Sequence, residues 1–146
     1  EDYEFNNIYS DILLVDTIQM LEDKNSILNK VKQSMKSSSR FHIISPNNQS
    51  FHRLLGLEMN LINNLEDQSE RDKTVSAKQD LNWDKLRKLL TDAGFNILKE
   101  EGIFFKLFDN KKMSSLDSNM VSSLFNLGNK FKENAAHMYI CCELEN

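Results

Sequence analysis

The 146-residue sequence predicts an α/β fold, a layered sheet flanked by helices, on three observations. The first is Ile12 to Val15, an unbroken run of branched aliphatic residues ending in a carboxylate, Asp16. Such a run reads as a strand covered on both faces, as in a parallel sheet. The second is alternation, because extended apolar segments are interleaved with stretches of helical period along the chain. The third is the closing segment HMYICCEL, which has no conventional crossover helix attached and so is expected to insert antiparallel.

Each element has a local reason. After the strand Ile12 to Val15, the turn from Gln19 to Asp23 leads into a helix. Asp23 or Asn25 caps that helix, and Ile27, Leu28, Val31 and Met35 form its buried face. Lys30, Lys32 and Lys36 suit the dipole at its carboxyl end, and Ser37 to Ser39 break it. Arg40 to Ser45 is a second strand, stopped by Pro46, which has no N–H to donate. Ser50 then caps a helix carrying Phe51, Leu54, Leu55, Met59 and Ile62 on one side, with His52 and Arg53 in its first turn. Asn63 to Asn82 is polar and aperiodic, a long loop of the kind that is usually functional or mobile. Asn82 caps an amphipathic helix with Leu86, Leu89, Leu90 and Ala93 inward, closed by Gly94. Phe95 to Leu98 begins a strand that Gly102 to Phe108 continues as an aromatic-rich extended segment. Lys111 to Ser115 is a turn, and Asp117 or Ser118 starts a helix with Met120, Val121, Leu124 and Phe125 on one face, ended by Gly128. His137 to Leu144 is the last strand.

Composition bounds the function. With 40% hydrophobic and 27% charged residues the chain is ordinary for a soluble protein, and residues 1–146 read as a single domain. Eighteen basic against twenty-two acidic residues give a net charge of −4, with no basic stripe, so nucleic acid is not an expected partner. No apolar run reaches the roughly 18 to 20 residues needed to span a bilayer and no signal-peptide pattern opens the chain, so no membrane role and a cytoplasmic location are expected. Cys141 and Cys142 are adjacent in an apolar run, which favours buried thiols over disulfides, and no ligand spacing predicts a metal. The opening on Glu1 accords with a natural domain start or with a truncated or processed chain.

Several residues carry candidate chemistry beside a plainer reading. Asp16 stands where ligands collect at a strand end, or simply caps the following turn. His52 is a candidate general base, since imidazole ordinarily titrates near neutral pH, or a structural histidine. Arg53 suits a planar oxyanion, or a surface salt bridge. Asn47 and Asn48 are turn formers. Glu70, Arg71 and Asp72 form a charge cluster in the long loop, either solvated or part of a lid. Phe104, Phe105 and Phe108 read as core or interface, since no basic residues interleave them as in a nucleic-acid stacking platform.

Four stretches in order carry a family resemblance: YSDILLVDTIQMLED, RFHIISPNNQSFHRLLGLEMNLI, LNWDKLRKLLTDAGFNILKEEGIFFKLFDNKKM and LFNLGNKFKENAAHMYICCEL. Together they resemble the carboxyl-terminal half of a class I S-adenosylmethionine-dependent methyltransferase. The resemblance implies a partial Rossmann-like sheet holding strands 4 to 7 of seven, in the order 4-5-7-6. It also implies S-adenosylmethionine as cofactor and a small-molecule acceptor. By position it implies Val15, Asp16, Thr17 and Met20 as cofactor contacts, His52 as a catalytic residue, and Asn47, Arg53 and Arg71 as substrate contacts. The family's glycine-rich loop has no counterpart, for Gly56, Gly94, Gly102 and Gly128 form no GxGxG. Gln19-Met20 stands where the family often has Glu-His, and Ser76-Ala77 where the subgroup has Gly-His. A non-catalytic, methyltransferase-like fragment serving as a binding partner is the alternative. With strand 1 outside the chain, the Ile12 to Val15 edge is expected to pair with another copy or a partner chain.

Overall fold

The computed structural model describes residues 7–145, apart from the side chain of Arg71. Four strands form one sheet in the order β1-β2-β4-β3: β1 (Tyr9–Val15), β2 (Met35–Pro46), β3 (Phe95–Ile103) and β4 (His137–Leu144). β1 and β2 are parallel, with Ile12 opposite Phe41 and Val15 opposite Ile44. β4 is antiparallel to both β2 and β3, as its lack of a crossover helix predicts. This is the 4-5-7-6 arrangement under other numbers.

The helices α1 (Lys24–Gln33) and α4 (Trp83–Asp92) pack on one face of the sheet. Asp23 accepts from the Ser26 N–H at 2.9 Å and Asn82 from the Lys85 N–H at 2.9 Å, so both predicted caps form. Leu28 and Val31 of α1 and Leu86 and Leu90 of α4 meet Ile12, Phe41, Ile43, Met138 and Ile140 in the core. The rings of Phe41 and Phe95 lie 5.2 Å apart within it. Gly94, at φ 80°, makes the left-handed exit from α4, and Lys32 Nζ donates to the Ala93 carbonyl at 2.7 Å.

The first segment departs from expectation in three places. Met35 belongs to β2 rather than α1, and Ser37 to Ser39 lie inside that strand. Tertiary hydrogen bonds override the helix-breaking serines: Ser39 Oγ accepts from the Lys36 N–H and donates to the Tyr9 carbonyl, while the register jumps between Tyr9 and Asp11. β1 is covered on one face only, for Ile12 is buried but Leu13 is 66% and Val15 48% exposed. On that open face His42 bonds Tyr139 Oη through Nδ1 at 2.9 Å and meets Asp11 Oδ1 through Nε2 at 3.2 Å.

The second half also corrects the sequence reading. α2 (Phe51–Glu58) ends before Met59 and Ile62, and Ser50 makes no side-chain cap. The long loop contains a short helix, α3 (Glu70–Thr74). Phe104 takes φ 63°, which ends β3, so Phe104 to Phe108 is not strand. The aromatic residues instead form a stack in which Phe105 lies 5.0 Å from Phe51 and 5.6 Å from Phe131. The Lys111 to Ser115 turn is preceded by and overlaps the helical turn α5 (Asn110–Met113). α6 (Ser118–Lys130) starts at Asp117 as predicted but runs through Gly128. Of its apolar face only Leu124 is buried, with Met120, Val121 and Phe125 exposed. Gly128 is needed for approach, because a Cβ there would lie 2.3 Å from the Phe104 nitrogen, and one on Gly102 would lie 2.3 Å from the Gly128 oxygen.

An ion cluster ties α4 to β3 and to the short turn Lys132–Asn134. Glu100 accepts from Arg87 Nε at 2.7 Å, Arg87 Nη2 at 3.0 Å and Lys132 Nζ at 2.9 Å. Trp83 Nε1 donates to the Lys132 carbonyl at 2.8 Å beneath the cluster. Hydrogen bonding to Arg87 draws the Glu100 carboxyl down to about 2 from its ordinary 4.5. The carboxyl is lower in the folded state, so its stabilisation is present above the unfolded value and is lost as pH falls from about 4.5 towards 2. For this largely covered side chain the effect is on the order of 3 kcal/mol. Urea unfolding at pH 7 and pH 3 is expected to show a large loss for the parent protein and a clearly smaller pH-dependent loss for Glu100→Gln.

Candidate functional site

The parallel pairing of β1 and β2 sets their carboxyl ends side by side, the place where open α/β sheets gather ligands. Asp16 leaves β1 with its N–H donating to the Ile44 carbonyl at 2.9 Å and with φ 47°, a left-handed conformation that Asp tolerates better than most residues. Its Oδ1 is buried, has no hydrogen-bond partner in the structure, and lies 3.5 Å from His137 Nε2. Thr17 Oγ1 donates to the Val15 carbonyl at 2.8 Å and secures the bend. In the following turn, Ile18–Met20, Ile18 and Gln19 are buried and Met20 projects outward. Gln19 Oε1 is a second buried oxygen without a partner.

At the end of β2 the chain enters a pocket of about 480 Å³. Pro46, Asn47, Ala136 and His137 form its floor. His52, Arg53, Leu55 and Met59 come from α2 and the residue after it, while Lys106, Leu107 and Phe108 close the far side. His137 links the pocket to Asp16. The volume is that of a small-molecule site, with mostly apolar walls and a few polar groups.

Of the predicted site residues, Asn47, His52 and Arg53 come together here, and Val15, Asp16, Thr17 and Met20 stand at the adjacent strand end. The roles of the first three are set by their partners. Asn47 is buried, and its Nδ2 donates to the Glu133 carbonyl at 2.8 Å and the Ala135 carbonyl at 3.0 Å. Its Oδ1 accepts from the Gln49 N–H at 3.0 Å, so the residue is a long-range clamp as well as a turn former. Among the described residues Arg53 makes no salt bridge. Its Nε and Nη2 reach the Leu65 carbonyl at 3.2 and 2.9 Å, and Nη2 reaches the Asp67 carbonyl at 2.6 Å, which fixes the long loop against α2. Burial lowers its guanidinium from the ordinary value, against the pull of Asp72 and Asp67. Arg71 lies in α3, with its side chain outside the described groups.

His52 Nδ1 sits 3.1 Å from Ser50 Oγ. Burial pushes its imidazole down to about 3, and the positive charges of Lys106, Arg53 and His137 push the same way. It is therefore a neutral hydrogen-bonding group at physiological pH. Ser76 keeps a left-handed backbone, φ 54°, where the resembling subgroup has glycine. Ala77 beside it is buried, and its N–H donates to the Asp72 carbonyl at 2.8 Å. Sequence reasoning missed His137, Lys106 and Gln19 as site residues. Only the sheet pairing, which puts His137 opposite Pro46, brings the first of these to the strand ends.

Among the described residues no group of His, Cys, Asp and Glu side chains could hold a metal ion. No helix among them is long and apolar enough to cross a membrane. Cys141 and Cys142 are free and buried, and burial pushes the Cys142 thiol up to about 12.

No protein-family model matches the chain, and no curated protein sequence matches it. Solved structures do. A SAM-dependent methyltransferase of Thermotoga maritima, described as a possible histamine N-methyltransferase, superposes with a TM-score of 0.64 at 16% identity, covering 97% of this chain and 60% of that one. The plantazolicin methyltransferase BpumL, in complex with a monoazolic desmethylPZN analog and SAH, gives 0.54 at 15% identity, covering 99% and 55%. A SAM-dependent methyltransferase of Mesorhizobium loti gives 0.57 at 8% identity, covering 98% and 65%. The chain thus shares the fold of class I SAM-dependent methyltransferases over nearly its whole length and spans about three fifths of theirs.

Because the folded His52 refuses a proton that the unfolded chain accepts below about 6.5, this residue costs stability as pH falls from there towards 3. Its imidazole carbon resonance, followed by NMR, is expected to stay at the neutral position from pH 8 down to about 4, while a solvent-exposed imidazole titrates near 6.5.

Proposed function

We propose that the chain is the carboxyl-terminal part of an S-adenosylmethionine-dependent methyltransferase and holds a small-molecule acceptor in the pocket beside β1. The observation that carries this reading is the junction of the pocket with the β1 end through His137 and Asp16. The cofactor supplies a methyl group already activated on a sulfonium. Exposed Val15 and Met20 offer it an apolar wall, and Asp16 Oδ1 offers an unpartnered acceptor, so the residues present fit one side of such a group. The protein's part is positioning, which can contribute several kcal/mol when two reactants are held in line. Asn47 and Arg53 keep the pocket walls in place, and the apolar side chains exclude water. Neutral His52 orients the acceptor by hydrogen bonding.

A second reading, a non-catalytic methyltransferase-like binding partner, is favoured by one observation: the polar groups at the pocket are spent on the protein itself. Titration with S-adenosylhomocysteine separates the two. Amide resonances of Val15, Thr17 and Met20 are expected to shift at millimolar ligand, with the effect weakened in Asp16→Ala. No shift at those residues would overturn the first reading in favour of the second.

The outer edge of β1 is unpaired among the described residues, and we infer that it receives a polypeptide carrying the remaining strands of the fold. Support comes from the exposed Leu13 and Val15 and from matched structures that extend well beyond this chain. Without that partner the edge is expected to drive concentration-dependent self-association, which Leu13→Lys reduces. Light scattering that finds a monomer at all concentrations, with Ile12 to Val15 amides protected from exchange, would count against it.

A further inference from the structure

One wall of the pocket is a segment ordered mainly by its own side chains. Residues 61–75, between α2 and Ala77, contribute Leu61, Ile62, Ser69 and Asp72 to the lining. None of the described side chains in this segment is buried, so no core residue pins it down. Its order comes from within. Asp67 Oδ2 accepts from the Asn63 N–H at 2.6 Å and the Asn64 N–H at 3.3 Å, and Asp72 Oδ2 accepts from the Ser69 N–H at 2.8 Å and Ser69 Oγ at 2.7 Å.

Left-handed backbone marks both ends of the segment. Asn60, at φ 56°, follows the last turn of α2, and Ser76, at φ 54°, precedes the buried Ala77. Gln68 Nε2 donates to the Ala77 carbonyl at 2.6 Å beside this second point, and the Lys78 N–H then donates to the Gln19 carbonyl at 3.0 Å, returning the chain to the body. Changes of φ and ψ at two such positions would swing the segment while α2 and the sheet stay as they are.

Arg53 is what ties the middle of the segment to α2. Its hydrogen bonds end on main-chain carbonyls, those of Leu65 and Asp67, and the charges of Asp67 and Asp72 add attraction. Lys85 and Glu66 form a second tie, to α4, but both side chains are more than half exposed and such a pair contributes little. Beneath the segment Gly56 presents no side chain, and a Cβ there would meet Ile62 Cγ1 at 3.8 Å and Cδ1 at 3.9 Å, ordinary contact distances.

We propose that residues 61–75 are a lid on the pocket, hinged at Asn60 and Ser76 and latched by the Arg53 guanidinium, whose bonds break when a small molecule enters or leaves. A segment without buried side chains is where local opening costs least. Such a lid governs access to the cavity whether or not methyl transfer takes place there, and its test uses neither cofactor nor acceptor.

Gly56→Cys places a thiol under Ile62, and the buried Cys141 and Cys142 of β4 serve as the internal control. The full chain is treated with N-ethylmaleimide, and labelling at position 56 and at the two native cysteines is followed by mass spectrometry of peptides. Position 56 is expected to react at least about tenfold faster than the native cysteines and at least about tenfold slower than in the urea-unfolded chain, because it needs the lid to open but not the sheet to come apart. Adding Arg53→Met is expected to raise the ratio of the two rates at least about fivefold, since several hydrogen bonds to the lid are lost together. Arg53→Lys, which keeps the charge but not the fork of donors, takes its place if that variant does not fold and is expected to raise the ratio by a smaller factor. Labelling of position 56 at the rate of the native cysteines, labelling at the unfolded rate, or a ratio unchanged by loss of the guanidinium overturns the proposal.

Discussion

The buried amide of Asn47 is the constraint on which the site depends. It stands where β2 ends, and its two N–H bonds reach across to the carbonyls of Glu133 and Ala135, just before β4 begins. Its own backbone N–H bonds the Ala136 carbonyl at 3.0 Å. Together these bonds hold the start of β4 to the end of β2, so that Pro46 faces His137 and the pocket floor closes. Each bond contributes on the order of 1 kcal/mol net, but losing the side chain would also strand two carbonyls beside a buried strand end. The polar side chain is satisfied in the interior because backbone carbonyls there accept its two N–H bonds.

The same region is braced from behind. Gly102 and Gly128 let α6 lie directly on the β3 backbone, a contact that any larger residue would prise open. Glu100, Arg87 and Lys132 then fasten the turn before β4 to α4. The strand insertion, the glycine contact and the ion cluster all converge on the segment that carries His137. By contrast, among the described residues the other side of the sheet, at β1, is open on one face and along one edge. The molecule is most heavily braced around the segment that carries His137, and among the described residues the outer edge of β1 carries no paired strand.

This division shapes the chemistry available. Polar side chains at the pocket are largely occupied with holding loops and helix ends, and His52 is kept neutral by burial and by the cations around it. Such a site is suited to fixing a small molecule in place more than to moving its protons. Under the proposed methyl-transfer reading, a methyl group already activated on its carrier would ask for little else, so positioning without a strong base is compatible with transfer.

The sequence by itself determined the class of fold, the helix cap at Asn82, the pairs of residues from which the structure chose Asp23 and Asp117 as caps, the left-handed turn at Gly94 and the antiparallel last strand. All of these follow from short-range rules: side-chain oxygens near helix starts, a residue lacking Cβ, and runs of apolar residues of fixed period. It also marked Asn47, His52 and Arg53, though not what they do. Only the tertiary structure decided that Ser37 to Ser39 join β2, that Phe104 ends β3, and that α6 leaves Met120, Val121 and Phe125 in solvent. The joining of Asp16 to His137, 121 positions further along the chain, was likewise beyond any local pattern. Those outcomes depend on which distant backbone groups complete a hydrogen bond or fill a space, and neighbours in sequence carry no record of neighbours across a sheet.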